Sequence, residues 1–120
     1  MSAEDKNKAI VRRFVEAHAK GDLDALMELL APDFVDHRPI LTQEPGREGY
    51  IQAVARRNAA FSDIRFDIEE QMAAEDNRVV CRLTLRLSHD RSEIAGFAPT
   101  NREYEMTHIA IYRIEGGKIA

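Results

Sequence analysis

The hydrophobic period of this chain changes once, near residue 60, from about 3.6 residues to 2, and that switch limits what it can fold into. Over residues 4–20, Ile10, Val11, Phe14, Val15 and His18 fall on one face of a helix, with Lys8, Arg12, Arg13, Glu16 and Lys20 elsewhere. Gly21 ends that helix, because glycine takes the left-handed closing turn readily. Asp22 caps a second helix with Leu23, Leu26, Met27 and Leu30 as its buried stripe, broken by Ala31-Pro32-Asp33. Phe34-Val35-Asp36-His37 reads as a short extended piece, and Pro39 to Gly46 as a loop. A third helix runs from about Arg47 to Ala60, with Tyr50, Ile51, Val54, Ala55 and Asn58 sharing a face.

Beyond that point alternation takes over. Ile64, Phe66 and Ile68 alternate with Arg65, Asp67 and Glu69, and Glu75-Asp76-Asn77 marks a turn. From Arg78 to Ser88, Val79, Cys81, Leu83, Leu85 and Leu87 face one way, while Val80, Arg82, Thr84, Arg86 and Ser88 face the other. After a connection from His89 to Asn101, a strand from Glu103 to Ile114 puts Tyr104, Met106, His108, Ala110 and Tyr112 on one side. Ile109 and Ile111 lie on the opposite side, and Glu115-Gly116-Gly117-Lys118 turns the chain again. Helices first and strands later predict an α+β domain with an antiparallel sheet. A curved sheet over three helices can enclose a cavity, the natural place for a ligand.

The remaining composition narrows the partners. The 120 residues match a single domain over 1–120. Seventeen basic against twenty-one acidic side chains leave a net charge of −4, which argues against nucleic acid or an anionic membrane surface. No apolar run is long enough to cross a bilayer, and Met1-Ser2-Ala3-Glu4-Asp5-Lys6 lacks the pattern of a secretion signal, so the expected compartment is the cytoplasm. A lone cysteine, Cys81, forms no internal disulfide and no thiolate cluster. The four histidines are too far apart in sequence for a local metal-binding motif, so no metal site is expected.

Several stretches are familiar as an ordered set. They are Phe14-Val15-Glu16-Ala17, Gly21-Asp22-Leu23-Asp24-Ala25-Leu26, Phe34-Val35-Asp36-His37 and Gly46-Arg47-Glu48-Gly49. Phe61-Ser62-Asp63-Ile64, Gly96-Phe97-Ala98-Pro99-Thr100 and the run from Tyr112 to Ile119 complete it. In this order the sequence resembles the SnoaL-like polyketide cyclase family, of nuclear-transport-factor-2-like fold, over nearly the whole chain. The resemblance implies a cone: a bent antiparallel sheet wrapped around three N-terminal helices, a pocket inside, and a homodimer through the outer sheet. It also implies ring closure by an intramolecular aldol step on a polyketide ester, without metal or organic cofactor. The family's acid/base aspartate stands on a final strand that also carries a tryptophan. In the family's pattern that strand follows Ala120, so the aspartate's role is assigned to no residue here, and the expected domain is 1–120 without it.

Two histidines are the expected catalytic residues. His37 carries an imidazole that can polarise a carbonyl or move a proton near neutral pH; the alternative is a structural ring bonded to a backbone carbonyl. His108, a polar ring on an apolar strand face, either meets a ligand or is paired in the core. Phe14, Val15, His18, Phe34, Tyr50, Val54, Arg82 and Tyr112 are expected to line the pocket. Arg82 is ambivalent. Facing inward it would anchor a carboxylate or enolate; facing outward it and Arg86 would pair with Glu103 or Glu105 across the strands. The expected function is acid/base cyclase or isomerase chemistry on a hydrophobic carbonyl compound; the alternatives are a non-catalytic small-ligand binder and a dimeric accessory protein.

Overall fold

The computed structural model describes residues 2–39 and 43–120. Helix α1 spans Ala3–Lys20, α2 Leu23–Leu29 and α3 Arg47–Ala60. Strands β1 (Phe61–Ala74), β2 (Arg78–His89), β3 (Glu103–Glu115) and β4 (Lys118–Ile119) follow. The sheet is antiparallel in the order β1-β2-β3-β4 and curls into a half-barrel over the helices.

The helix ends follow local chemistry. Ser2 Oγ accepts the Asp5 amide at 3.0 Å, and Asp22 Oδ1 accepts that of Ala25 at 3.1 Å, each satisfying an orphan donor of a first turn. Gly21 sits in the left-handed region at φ 68°, where its amide reaches back to the last turn of α1. The Gly116-Gly117 pair, with φ 59° and 77°, makes the two-residue turn between β3 and β4.

One core joins the layers. Ile10, Val11, Phe14 and Val15 of α1 meet Leu26 and Leu30, Val54 of α3, and Val79, Cys81 and Leu83 of β2. Ile119 closes it from β4; its carbonyl accepts the Ala31 amide at 2.7 Å, which ties the chain after α2 to the sheet.

The structure departs from strict alternation in β1. This strand follows α3 with no loop and extends to Ala74, with register shifts between Ser62 and Arg65 and between Ile68 and Glu70. Each bulge admits an extra residue and bends the strand. After the second, parity inverts: Phe66 and Ile68 oppose Leu85 and Leu83, but Gln71 and Ala73 oppose Cys81 and Val79. The inward set therefore moves from even to odd numbers. Residues 34–37 are also unlike expectation, joining no strand among the described residues; the Asp36 amide donates to the Pro45 carbonyl at 2.7 Å instead.

Candidate functional site

A cavity of about 770 Å³ lies between α1, α3 and the inner face of β2 and β3. Its apolar wall includes Val54, Phe61, Leu85, Leu87 and Met106. The excursion between β2 and β3 contributes Ile94 and Phe97, which bridge each other through two backbone hydrogen bonds of 3.0 and 2.9 Å. Arg38, Arg56 and Glu93 stand at the exposed rim.

Three polar side chains from two helices meet in the opposite wall. His18, late in α1 and 7% exposed, points its Nε2 at Tyr50 Oη, 2.6 Å away on α3. One turn-pair further along α3, Arg57 Nη1 donates to His18 Nδ1 at 3.2 Å, and Nη2 donates to the His18 carbonyl at 3.2 Å. Asn58 Oδ1 accepts from Arg57 Nε and Nη2, and the guanidinium lies 5.3 Å from the centroid of Phe66. Rings pack behind this wall: Phe14 is 4.8 Å from His18 and 5.8 Å from Tyr112, and Phe34 is 5.3 Å from Tyr50.

The protons in this chain have a definite arrangement. A guanidinium only donates, so His18 Nδ1 must be a bare acceptor. Burial above all, then the charges of Arg57 and His108, lower the His18 pKa to about 3, so the ring is neutral. A neutral ring with a bare Nδ1 carries its proton on Nε2, and that N–H donates to Tyr50 Oη. The Tyr50 hydroxyl proton is thereby directed away from His18, and no described side chain accepts it. Burial and, more weakly, Tyr112 and the Asp36 carboxylate push the Tyr50 hydroxyl far above its ordinary value, against the pull of Arg57. Tyr50 is thus a held hydrogen-bond donor on the cavity wall. Asp36 is on the same wall, its Oδ1 accepting the Arg38 amide at 2.9 Å and its Oδ2 the Gln43 side chain at 2.8 Å.

Of the residues singled out from sequence, His18, Tyr50 and Val54 line the cavity, while Phe14, Val15, Phe34 and Tyr112 pack in the core beside it. His37 is exposed, and the wall runs through its neighbours Asp36 and Arg38. His108 shares the inner face of β3 with Met106 and sits opposite Leu83, but its side chain is exposed. Arg82 is on the outer face, 3.6 Å from Glu70, because its parity is that of Thr84 and Arg86; Arg86 pairs with Asp67 and Glu105 at 3.2 Å each. An anchor for a ligand in the cavity therefore does not come from Arg82.

Arg57 and Asp36 were missed. Arg57 had a signal: with Tyr50 and Val54 it stands at i, i+4, i+7, a basic residue on the buried stripe of α3. Asp36 had only its place beside His37, in a segment without period.

Three helices over a curled half-barrel, with a one-sided cavity between, define a small-molecule pocket fold. A family description, SnoaL-like polyketide cyclase, matches residues 8–120, and the chain belongs to that family. Among solved structures it is similar to IdmH from Streptomyces antibioticus, a candidate polyketide cyclase. The two are 31% identical with a TM-score of 0.78, over 94% of this chain and 86% of that one. It is also similar to TsrD from Streptomyces laurentii at 24% identity and a TM-score of 0.83, over 97% and 84% of the two chains. An epoxide hydrolase of limonene-epoxide-hydrolase type from M. tuberculosis shares the fold at 14% identity and a TM-score of 0.76, over 99% and 76%. No curated protein sequence matches the chain.

Proposed function

We propose that this protein is a cofactor-independent acid/base enzyme acting on a hydrophobic carbonyl compound, with Tyr50 and Asp36 at the reacting atoms. The observation that carries this reading is the directed chain Arg57–His18–Tyr50, which holds an O–H donor in the wall of an apolar cavity. The Asp36 carboxylate takes a proton from the carbon next to a carbonyl. The C–H electron pair forms the carbon–carbon double bond of an enolate as the carbonyl π pair moves onto oxygen, and that oxygen accepts the Tyr50 hydroxyl. Carbon–carbon bond formation follows when the enolate carbon attacks a second carbonyl, whose oxygen then takes the proton from Asp36. A preorganised donor of this kind is worth about 10²–10³ in rate, because it meets charge that develops only in the transition state. His18 and Arg57 are positioning residues in this scheme, fixing which way the tyrosine proton points. His37 and His108 remain candidates for contact with a bound substrate at the rim.

The outer sheet face supports a second copy of the chain as partner. Met72, Val80 and Ile111 form one rung across the three long strands, with Ile109 beside it; Ile109 and Ile111 are 67% and 68% exposed. Paired charges at Arg82–Glu70 and Arg86–Asp67 border this apolar strip, the pattern of an interface core with a polar rim. Among the described residues no helix is long and apolar enough to cross a membrane.

Exchange of α-hydrogens tests the chemistry without knowledge of the natural substrate. The protein should speed deuterium incorporation into 2-tetralone in D2O above the buffer rate. Tyr50→Phe and Asp36→Asn should each remove about 10²-fold of that acceleration. Wild-type exchange at the buffer rate with 2-tetralone seated in the cavity, seen as shifts of its amide resonances, would count decisively against the scheme.

A further inference from the structure

We infer that the cavity's ligand carries an acid group, a carboxylate or a comparably acidic enol, on an apolar body. This rests on the cavity reading above and adds the charge of the substrate. Arg57, Arg38 and Arg56 line the cavity, against Asp36 and Glu93. The balance is positive within a chain whose net charge is −4. Among the described residues none of these three arginines has a carboxylate within ion-pair distance. Residues 40–42 carry no acidic side chain that could supply one. Asp36, the acid nearest in sequence to Arg38, accepts from a backbone amide and from Gln43 and forms no ion pair with the Arg38 guanidinium.

Arg57 is the most telling of the three. Its partners are a neutral imidazole, a carbonyl and an amide oxygen, none of which bears a charge. Removing a guanidinium from water without a counter-ion is expensive, and a ligand anion is the group that offsets it. Those contacts occupy Nε–H, both N–H groups of Nη2 and one of Nη1, so a second Nη1–H is uncommitted. Arg38 and Arg56 at the rim draw the same anion inward along the field. The rest of the ligand meets Val54, Leu85, Leu87 and Met106, which offer only apolar surface.

The test pairs 2-naphthoate with methyl 2-naphthoate, which share a body and differ in charge, by calorimetry and amide chemical shifts on the full chain. The acid should bind at least about tenfold more tightly than the ester, the low end of what a charge-assisted hydrogen bond contributes. The preference should shrink as salt rises. Arg57→Met should abolish it, and Arg57→Lys should keep part of it. Should Arg57→Met not fold, the exposed pair Arg38→Gln with Arg56→Gln carries the test, with an expected drop of several-fold for the acid alone. An ester that binds as tightly as the acid overturns the acid-group inference and leaves the cavity reading standing. Failure of both to shift cavity resonances overturns the cavity reading itself and the inference with it.

Discussion

His18 couples the stability of this fold to pH. The ring is neutral in the native state, with its pKa lowered from 6.5 to about 3 mainly by burial and then by the charges of Arg57 and His108. The groups that face it are the Arg57 guanidinium at Nδ1 and His108, both of which disfavour an imidazolium, and the Tyr50 hydroxyl at Nε2, whose oxygen accepts from the neutral ring already. Unfolding restores the ordinary value, so between pH 6.5 and 3 the unfolded chain binds a proton that the native chain refuses. The contribution is fully present above pH 6.5 and is lost as pH falls toward 3. At pH 5 the native ring is still bare while the unfolded one is almost fully charged. The loss from pH 7.5 is then about 1.5 pK units, or about 2 kcal/mol at 1.36 kcal/mol per unit. That is a large share of a typical domain's margin. Urea unfolding of wild type and His18→Gln at pH 7.5 and 5 measures it, because other titrating groups cancel in the difference. The wild type should lose about 2 kcal/mol more than the variant between the two pH values. Equal losses, or a His18 ring resonance that titrates near pH 6.5 in the folded protein, would refute the argument and with it the proton arrangement at Tyr50.

Two further outcomes follow from packing. Gly49→Ala should destabilise the fold by about 1–3 kcal/mol in urea melts, since a Cβ there would run into the Glu44 backbone, which cannot swing aside like a side-chain tip. Ile109→Lys with Ile111→Glu should turn a dimer into a monomer in sedimentation velocity while leaving circular dichroism unchanged; a wild type that stays monomeric at high concentration removes the outer sheet face as an interface.

Much of the local architecture was legible because its causes are local. The stripe of α1 ends at Gly21 through one residue's access to positive φ, and the Val79-to-Leu87 alternation of β2 is a period that neighbours impose on each other. In β1 the same reasoning held only to Ile68, since the bulge before Glu70 shifts parity without leaving a mark in hydrophobicity. For Arg82 and Arg86 both orientations were open, and the Arg86–Glu105 pair is one of those foreseen for the outward one.

By itself, then, the amino-acid order determined the elements, their caps, the antiparallel class and the family, because each depends on contacts within a few residues or on an ordered set of short stretches. Tertiary structure decided which groups share the cavity. His18, Tyr50 and Arg57 are 32 and 39 residues apart from the first to each of the others, and only the packing of α1 against α3 brings them within 3.2 Å. It also decided that His18, like His89, is buried while His37 and His108 are exposed, since burial depends on every layer that covers a residue and no local period records it.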